Sequence, residues 1–363
     1  MYTQLEMICV APATSLREAM AQMDRAGCGI LLVADDARRL LGTVTDRDIR
    51  RAILANLDLA QPVEALLARK AGTRFSTPIT ASIGQERSAY LSLLKQHSIL
   101  HLPLLDAEGR VAGLVTMDSL VPEAPLALRA VVMAGGKGTR LHPLTEHTPK
   151  PMLRVGDKPV LEIIIDQLRE AGIRQVTVTT HHQGEKISAH FGDGRDFGVA
   201  LSYIEEERQL GTIGGLSLMA PPKETTLVIN GDILTEVDFR AMLAYHREHQ
   251  AELTIAVRQY DVKVPYGVIE CEGSQVRGVN EKPTFGFFVN AGIYLLEPGV
   301  YRLIPSRQRF DMTDLIQRVI AERRMVVSFP ICEYWLDIGE HAEYEQAHQD
   351  VLAGKMQTGK DSP

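Results

Sequence analysis

The stretch Ala130-Val131-Val132-Met133-Ala134-Gly135-Gly136-Lys137-Gly138-Thr139-Arg140-Leu141 begins as an apolar run and empties into three glycines within four residues, followed by Thr139 and Arg140. The run Ala130–Met133 has the length and character of a short buried strand. Glycines let a backbone approach a ligand closely and let successive N–H groups converge on an anion. Arg140 adds a cation that is not titrated away and can grip phosphate oxygens in a fork. Two common phosphate loops do not fit. A Walker loop needs Lys followed by Ser or Thr, and Lys137 is followed by Gly138. A dinucleotide fingerprint starting from Gly136 and Gly138 needs Gly or Ala where Leu141 stands. That mismatch removes a dinucleotide-dependent oxidoreductase. The glycines alone suit a plain tight turn equally well; Thr139, Arg140 and the next segment favour an anion cradle.

That next segment is Thr148-Pro149-Lys150-Pro151-Met152-Leu153. Prolines on both sides stiffen the backbone around Lys150. A rigid lysine beside a glycine turn suits phosphate binding, although the segment by itself reads as a solvated loop. Beyond it, Pro159–Ala171 has helical apolar spacing, Gln175–Thr180 is β-branched and strand-like, and Glu185–Phe191 is helical again. Thr226–Ile229 is an apolar strand that runs into Asn230-Gly231-Asp232. This alternation predicts an α/β domain, doubly wound on a largely parallel sheet with right-handed crossovers. Ligands of such sheets sit beyond the carboxyl ends of the strands, which is where Asp232 falls. Asp337, in Trp335-Leu336-Asp337-Ile338-Gly339, is a second candidate carboxylate. Either Asp alone suits a turn or a helix cap equally well.

Toward the N-terminus, Val121-Pro122-Glu123-Ala124-Pro125 opposes both helix and central strand and marks a boundary. Before it, one unit is written twice. The helical stretch Ser15–Ala26, the apolar run Gly29–Ala34, a turn at Asp35-Asp36 and Leu41-Gly42-Thr43-Val44-Thr45-Asp46-Arg47-Asp48-Ile49 form the first copy. Ser88–His97, Leu100–Leu105, a turn at Asp106–Arg110 and Val111-Ala112-Gly113-Leu114-Val115-Thr116-Met117-Asp118-Ser119-Leu120 repeat that order. The expected domains are therefore 1–122 and 128–350, with a polar tail over 354–363.

Composition sets the outer bounds. The chain has 363 residues, 45% apolar and 23% charged, enough for two or three domains and unlike a disordered, collagenous or disulfide-scaffold chain. Its net charge of −7 counts against a nucleic-acid partner. It lacks an apolar run long enough to span a membrane. Met1–Ser15 lacks the basic start and apolar core of an export signal. Four scattered cysteines without a Cys-x-x-Cys fit a reducing cytoplasm rather than a structural zinc site.

The glycine turn and Pro-Lys-Pro-Met-Leu together resemble the signature of the sugar-1-phosphate nucleotidyltransferases, also called nucleoside-diphosphate-sugar pyrophosphorylases. The resemblance continues in order through Leu210-Gly211-Thr212-Ile213-Gly214-Gly215, Asn230-Gly231-Asp232, Pro265-Tyr266-Gly267-Val268, Glu281-Lys282-Pro283, Asn290-Ala291-Gly292-Ile293-Tyr294 and Trp335–Gly339, to about Gln349. It implies a Rossmann-like nucleotidyltransferase domain that joins a nucleoside triphosphate to a sugar 1-phosphate with Mg²⁺. By resemblance, Asp232 and Asp337 converge on the metal, Arg140 stabilises the departing pyrophosphate, and Lys150 contacts the phosphate where bonds exchange. Lys282 holds the sugar's phosphate, and Gly267, Glu281 and Asn290 contact the sugar. Gly135, Gly136, Gly138, Thr139, Gly211 and Thr212 contact the nucleotide. A carboxylate of the run Glu205-Glu206-Glu207 suits guanine's N1 and N2 groups, but a charge run is more often a solvated face, and that reading is preferred here. His181, His182 and His190 read as structural rather than as metal ligands, and Trp335 as packing beside the metal loop.

The duplicated unit is similar to a tandem pair of CBS domains, small α+β regulatory modules that bind adenine nucleotides. The resemblance places phosphate on Thr45, ribose on Asp48, and nucleotide on Thr116; Ser119 stands where a second ribose carboxylate is expected. A spacer or dimerisation module is an equal alternative, and the regulatory ligand, if bound, is an adenine or guanine nucleotide. The domain order, Phe310-Asp311-Met312 and Glu333–Gly339 resemble a guanylyltransferase branch acting on glucosamine 1-phosphate or mannose 1-phosphate, for surface glycans or nonulosonic acids. UTP, CTP or dTTP with another hexose or heptose 1-phosphate is the alternative substrate set. A nucleotide sensor with an inactive transferase domain is the alternative function; the intact set Arg140, Lys150, Asp232, Lys282 and Asp337 speaks against it. A homo-oligomer is expected, and an appended acetyltransferase is not, because no hexapeptide repeat follows.

Overall fold

The computed structural model describes residues 2–73, 76–121, 126 and 128–356. Most of the expected boundary segment, residues 122–125, and the tail from 357 onward lie outside the described residues. The chain divides into two compact units, Met1–Ala124 and Pro125–Pro363.

The first unit is the repeat. Its first copy runs α1 (Leu5–Ile8), β1 (Cys9–Val10), α2 (Leu16–Ala26), β2 (Ile30–Ala34), β3 (Leu40–Thr45) and α3 (Asp46–Leu54). After α4 (Glu64–Lys70), the second runs β4 (Ala81–Ser82), α5 (Arg87–His97), β5 (His101–Leu105), β6 (Val111–Thr116) and α6 (Met117–Leu120). Each copy forms a three-stranded sheet, and the two share their irregularities. Ile30 faces Thr45 as His101 faces Thr116, and the register shifts at Val33/Ala34 as it does at Leu104/Leu105. Helix α2 starts on a Ser15–Glu18 capping box and stops at Gly27, whose φ of +60° suits a glycine. Ile8, Cys28, Ile30 and Leu32 of one copy pack with Val111 and Leu114 of the other in a shared core.

The second unit opens with β7 (Arg129–Met133), β8 (Arg154–Val155), β9 (Lys158–Pro159), α7 (Val160–Glu170), β10 (Gln175–Thr180), α8 (Gly184–Phe191) and β11 (Ala200–Glu205). It continues with β12 (Thr226–Asn230), β13 (Ile233–Thr235), α9 (Phe239–Glu248), β14 (Leu253–Lys263), β15 (Val268–Glu272), β16 (Gln275–Asn280) and β17 (Thr284–Leu296). It closes with α10 (Met312–Ala321), β18 (Val326–Pro330), β19 (Trp335–Asp337) and α11 (His341–Leu352). Seven strands form one sheet in the order β11-β10-β7-β12-β17-β14-β18. Neighbours are parallel except β17, which runs antiparallel to both β12 and β14.

Burial of both faces explains why β7 reads as continuously apolar. Ala130 and Val132 point into one core with Ile164 and Leu168 of α7, Ile187 of α8 and Met242 of α9. Val131 points into the other with Leu315 and Val319 of α10. Because β11, β10, β7 and β12 are parallel, the residues following them, Glu206, His181, Ala134–Gly135 and Gly231–Asp232, emerge along one edge. The outer halves of β14 and β17 project as an arm, with the β15–β16 hairpin between them in the chain and Tyr260, Phe285 and Phe287 exposed on it.

Candidate active site

Two short strands bring the distant carboxylates together. β13 pairs antiparallel with β19, with Ile233 opposite Asp337, and the Ile338 N–H donates to the Asp232 carbonyl at 2.9 Å. Lys150 reaches across from its proline-flanked turn and donates to Asp232 Oδ2 at 2.5 Å. One oxygen of each carboxylate, Asp232 Oδ1 and Asp337 Oδ1, is buried without a hydrogen-bond partner among the described residues. Burial first, then the Asp232 charge, pushes the Asp337 carboxyl up to about 6, against the pull of Lys150 and Arg140; Glu343 adds to the rise. Two sheltered carboxylate oxygens facing no donor are unfavourable unless a cation joins them. All-oxygen donors of this kind suit a hard divalent ion, so the residues present fit the metal the resemblance implies.

The glycine turn lies beside this pair. The Ala134 N–H donates to Thr179 O at 3.0 Å, and the Gly231 N–H to Met133 O at 2.9 Å, pinning the turn between β10 and β12. A Cβ on Gly136 would meet nothing within 4 Å, so that peptide is open to a ligand. Gly138 has φ +63°, and a Cβ there would stand 2.9 Å from Thr145 Cγ2 and 3.1 Å from Lys150 Cβ; its bareness lets Lys150 lie close. Thr139, Arg140 and Leu141 form a single 3₁₀ turn. Arg140 is largely exposed, 3.8 Å from Glu340 Oε1. A Cβ on Gly339 would be 3.6 Å from its Nη1 and 3.7 Å from Asp337 Oδ1, so the guanidinium stands over the Asp337–Gly339 turn.

The segment between Arg140 and Lys150 is held by its carbonyls. His341 Nε2 contacts His142 O at 2.9 Å, Gln183 Nε2 donates to Glu146 O at 3.1 Å, and Lys186 donates to His147 O at 2.6 Å. The Thr145 hydroxyl donates to Gly138 O at 2.7 Å.

The preferred reading of Glu205–Glu207 as a solvated face is corrected at its centre. Glu205 and Glu207 are exposed, but Glu206 is only 4% exposed. Its Oε2 accepts the Leu210 N–H at 2.9 Å, and its Oε1 lies 3.4 Å from where a Gly135 Cβ would be and 2.6 Å from a Gly215 Cβ. Burial raises its pKa, opposed by the Leu210 N–H and by His181. Glu206 follows the edge strand β11, and parallel pairing with β10 carries it to the mouth of the glycine turn; in the sequence the two exposed neighbours hide it. His181 Nδ1 contacts Glu206 O at 2.7 Å. His190 lies 3.6 Å from Glu162 and edge-on to Phe191. Trp335 donates its indole N–H to Ala291 O at 2.9 Å.

The loop bearing Gly211 and Thr212 is fastened to the start of α10. The Thr212 N–H donates to Asp311 Oδ1 at 2.9 Å, and the Thr212 hydroxyl accepts the Met312 N–H at 2.8 Å. Gly211 has φ +85°, and a Cβ there would be 2.6 Å from Asp311 Oδ1. Thr212's polar atoms thus hold the loop, and Gly215 is its part against Glu206.

Of the expected sugar-contacting residues, the structure brings Asn290 to the carboxylate end. Its Oδ1 accepts the Gly292 N–H at 3.0 Å, and Gly292 abuts Asn230, two residues before Asp232. Tyr294, to which the sequence analysis gave no role of its own, is buried, and burial pushes its hydroxyl up to about 12, opposed by the Asn290 side chain. Gly267 and Glu281 are neighbours on the projecting arm. Lys282 occupies an exposed turn beside them at φ +47°. Among the described residues, no hydrogen bond or ion pair joins Glu281 or Lys282 to Asp232, Asp337, Lys150 or Arg140. Glu343, also outside the sequence reading, sits on the first turn of α11 with a buried, unpartnered Oε2.

In the first unit, Thr45 and Asp48 form the capping box of α3, and Thr116 and Ser119 that of α6. Asp48 Oδ2 accepts the Thr45 N–H and hydroxyl at 2.8 and 2.7 Å. The same oxygen meets the Lys70 ammonium at 2.5 Å.

Comparison with known proteins gives the family of the second unit. A family described as nucleotidyl transferase matches residues 129–354, the span that carries every group described in the second unit. The chain belongs to that family. The CBS domain family matches residues 3–55, the first copy of the repeat. Among curated relatives of this nucleotidyl transferase, a Synechocystis UTP–glucose-1-phosphate uridylyltransferase is 32% identical over 63% of the chain and 64% of its own length. A Mycobacterium tuberculosis mannose-1-phosphate guanylyltransferase is 32% identical over 62% of the chain and 65% of its own length. The chain thus spans just under two thirds of the length of these relatives. The crystal structure of a Bacillus anthracis protein described as a glucose-1-phosphate thymidylyltransferase matches with a TM-score of 0.52 and 26% identity, over 64% of this chain and 98% of that one.

Proposed function

We propose that this nucleotidyl transferase moves a nucleoside monophosphate from a nucleoside triphosphate to a sugar 1-phosphate, with Mg²⁺ held by Asp232 and Asp337. An oxygen of the sugar phosphate attacks the α-phosphorus, a new P–O bond forms, and the bond to the β-phosphate oxygen breaks to release pyrophosphate. The phosphate nucleophile is already ionised near neutral pH, so the protein's task is positioning and charge compensation. The glycine turn supplies N–H groups for phosphate oxygens, Arg140 meets the charge that develops on pyrophosphate, and Lys150 meets the phosphate at which bonds exchange. When bound, the divalent ion supplies electrostatic stabilisation of phosphate oxygens. Lys282, Glu281 and Gly267 hold the sugar phosphate and sugar from the arm, with Asn290 at its base. The observation that carries this reading is the pair of buried, unpartnered oxygens on Asp232 and Asp337 beside the glycine turn and Lys150.

GTP is the favoured nucleotide, with mannose 1-phosphate or glucosamine 1-phosphate. Support comes from the guanylyltransferase relatives and from Glu206, an acceptor at the mouth of the glycine turn suited to guanine's N1 and N2 donors. The first unit is assigned nucleotide binding at Thr45 and Asp48, with Thr116 in the second copy, and a regulatory effect on the transferase. A cytoplasmic location fits this substrate set; among the described residues no helix is long and apolar enough to cross a membrane. The test incubates the full chain and Mg²⁺ with GTP, UTP, CTP, ATP or dTTP against a panel of sugar 1-phosphates. Pyrophosphate is assayed and products are weighed by mass spectrometry. A guanosine-diphosphate sugar is the expected product, and no product with any pair refutes the activity.

A further inference from the structure

Lys150 stands on the carboxylate assigned to the metal. Its ammonium is 2.5 Å from Asp232 Oδ2, with the two side chains 11% and 25% exposed. The turn Lys150–Met152 begins and continues with prolines at 149 and 151, and Lys150 Cβ packs beside the bare Cα of Gly138. On the far side of the same carboxylate, Asp232 Oδ1 is buried with no partner, as is Asp337 Oδ1. A cation in partial shelter attracts a carboxylate strongly, and it repels a second cation brought to that carboxylate.

We propose that Lys150 is a resident counter-cation: it competes with the divalent ion for Asp232 in the free protein, and the ion binds firmly only when a nucleoside triphosphate draws the ammonium away. The inference rests on the transferase reading and adds an order to it. The ion enters with the nucleotide rather than before it, and Lys150 has two stations, Asp232 in the free chain and the reacting phosphate in the loaded one. A free protein that does not hold the ion alone is spared a bound metal without a substrate to use it. The competition also requires that neutralising Lys150 have opposite effects on two measurements, raising metal affinity while lowering turnover. A lysine that only contacts phosphate would lower turnover and leave metal binding in the free protein unchanged.

The test uses the full chain without nucleotide, with Mn²⁺ as probe and the free ion followed by electron paramagnetic resonance. Lys150→Met and Lys150→Gln each bind Mn²⁺ at least about tenfold more tightly than wild type. Lys150→Arg, which keeps the charge, stays close to wild type, and adding Asp232→Asn to Lys150→Met abolishes the gain. Circular dichroism confirms that each variant is folded, and the glutamine variant carries the test if the methionine one is not. Equal Mn²⁺ affinity in wild type and the neutral variants overturns the proposal. Pyrophosphate release from the same wild-type preparation separates the two readings. Turnover with unchanged affinities sinks the counter-cation alone, and absence of turnover on every substrate pair sinks the transferase reading and the inference with it.

Discussion

At the scale of single residues, the site pairs part of its charge within the free chain and leaves one oxygen on each of Asp232 and Asp337 without a partner. Arg140 stands over the Asp337–Gly339 turn beside Glu340, and Lys150 lies on Asp232. Removing one preorganised donor to a developing oxyanion costs about 2.7–4 kcal/mol of transition-state stabilisation, and by analogy Arg140→Ala and Lys150→Ala should each lower kcat/KM by roughly a hundredfold to a thousandfold. Pyrophosphate release measures this, and wild-type turnover in either variant contradicts the assignment. Glu206 makes a separate prediction. A well-placed pair of hydrogen bonds to a base edge discriminates by about 1–3 kcal/mol. Glu206→Gln should therefore lower the ratio of kcat/KM for GTP over UTP by roughly tenfold or more, with little change in sugar preference. An unchanged ratio removes Glu206 from base selection.

At the scale of elements, much of the architecture was legible because hydrophobic periodicity is local. Strand β10 occupies Gln175–Thr180 as expected, α7 falls within Pro159–Ala171, and the two copies of the repeat share their register. The antiparallel β17 and the projecting arm were not legible, since a strand's direction in a sheet depends on partners far away in sequence. The convergence of Asp232 and Asp337 came from family resemblance, not from spacing; its physical cause, the β13–β19 pairing, is long-range. Glu206 was misread because burial of one acid in three is set by the neighbouring strand β10. The element contacts also bury a histidine away from the site. His246 of α9 is held between the Thr254 hydroxyl at 2.7 Å and Glu297 at 3.0 Å. Burial lowers its pKa, with Arg247 assisting and Glu297 opposing. The unfolded chain therefore takes up a proton that the folded chain refuses. This contribution to stability is full above the unfolded value of about 6.5 and is lost as pH falls from there toward the folded value. Urea unfolding of the wild type should show a lower midpoint at about pH 5 than at about pH 7.5, and His246→Gln should flatten the difference. Equal slopes in both proteins would remove His246 as the cause.

At the scale of the molecule, a CBS repeat and a nucleotidyl transferase share one chain. Coupling between them requires a ligand whose affinity differs between two states of the transferase. In the first copy, Asp48 Oδ2 already holds the Lys70 ammonium and the Thr45 hydroxyl, so a ribose diol either displaces one of them or binds at Oδ1. Titrating the full chain with AMP, ATP or GMP should give calorimetric binding that Asp48→Ala weakens, accompanied by a change in transferase rate. Binding without a rate change leaves the unit a spacer with a ligand, and no binding by any of the three removes the sensor.

The central claim is that Asp232 and Asp337 gather one divalent ion beside the glycine turn. Crystals grown with Mn²⁺ and a non-hydrolysable triphosphate test it through anomalous scattering. The expected result is a single anomalous peak touching both carboxylates, with phosphate density on Gly136 and Arg140. A peak elsewhere, with the two carboxylates left unliganded, would contradict it.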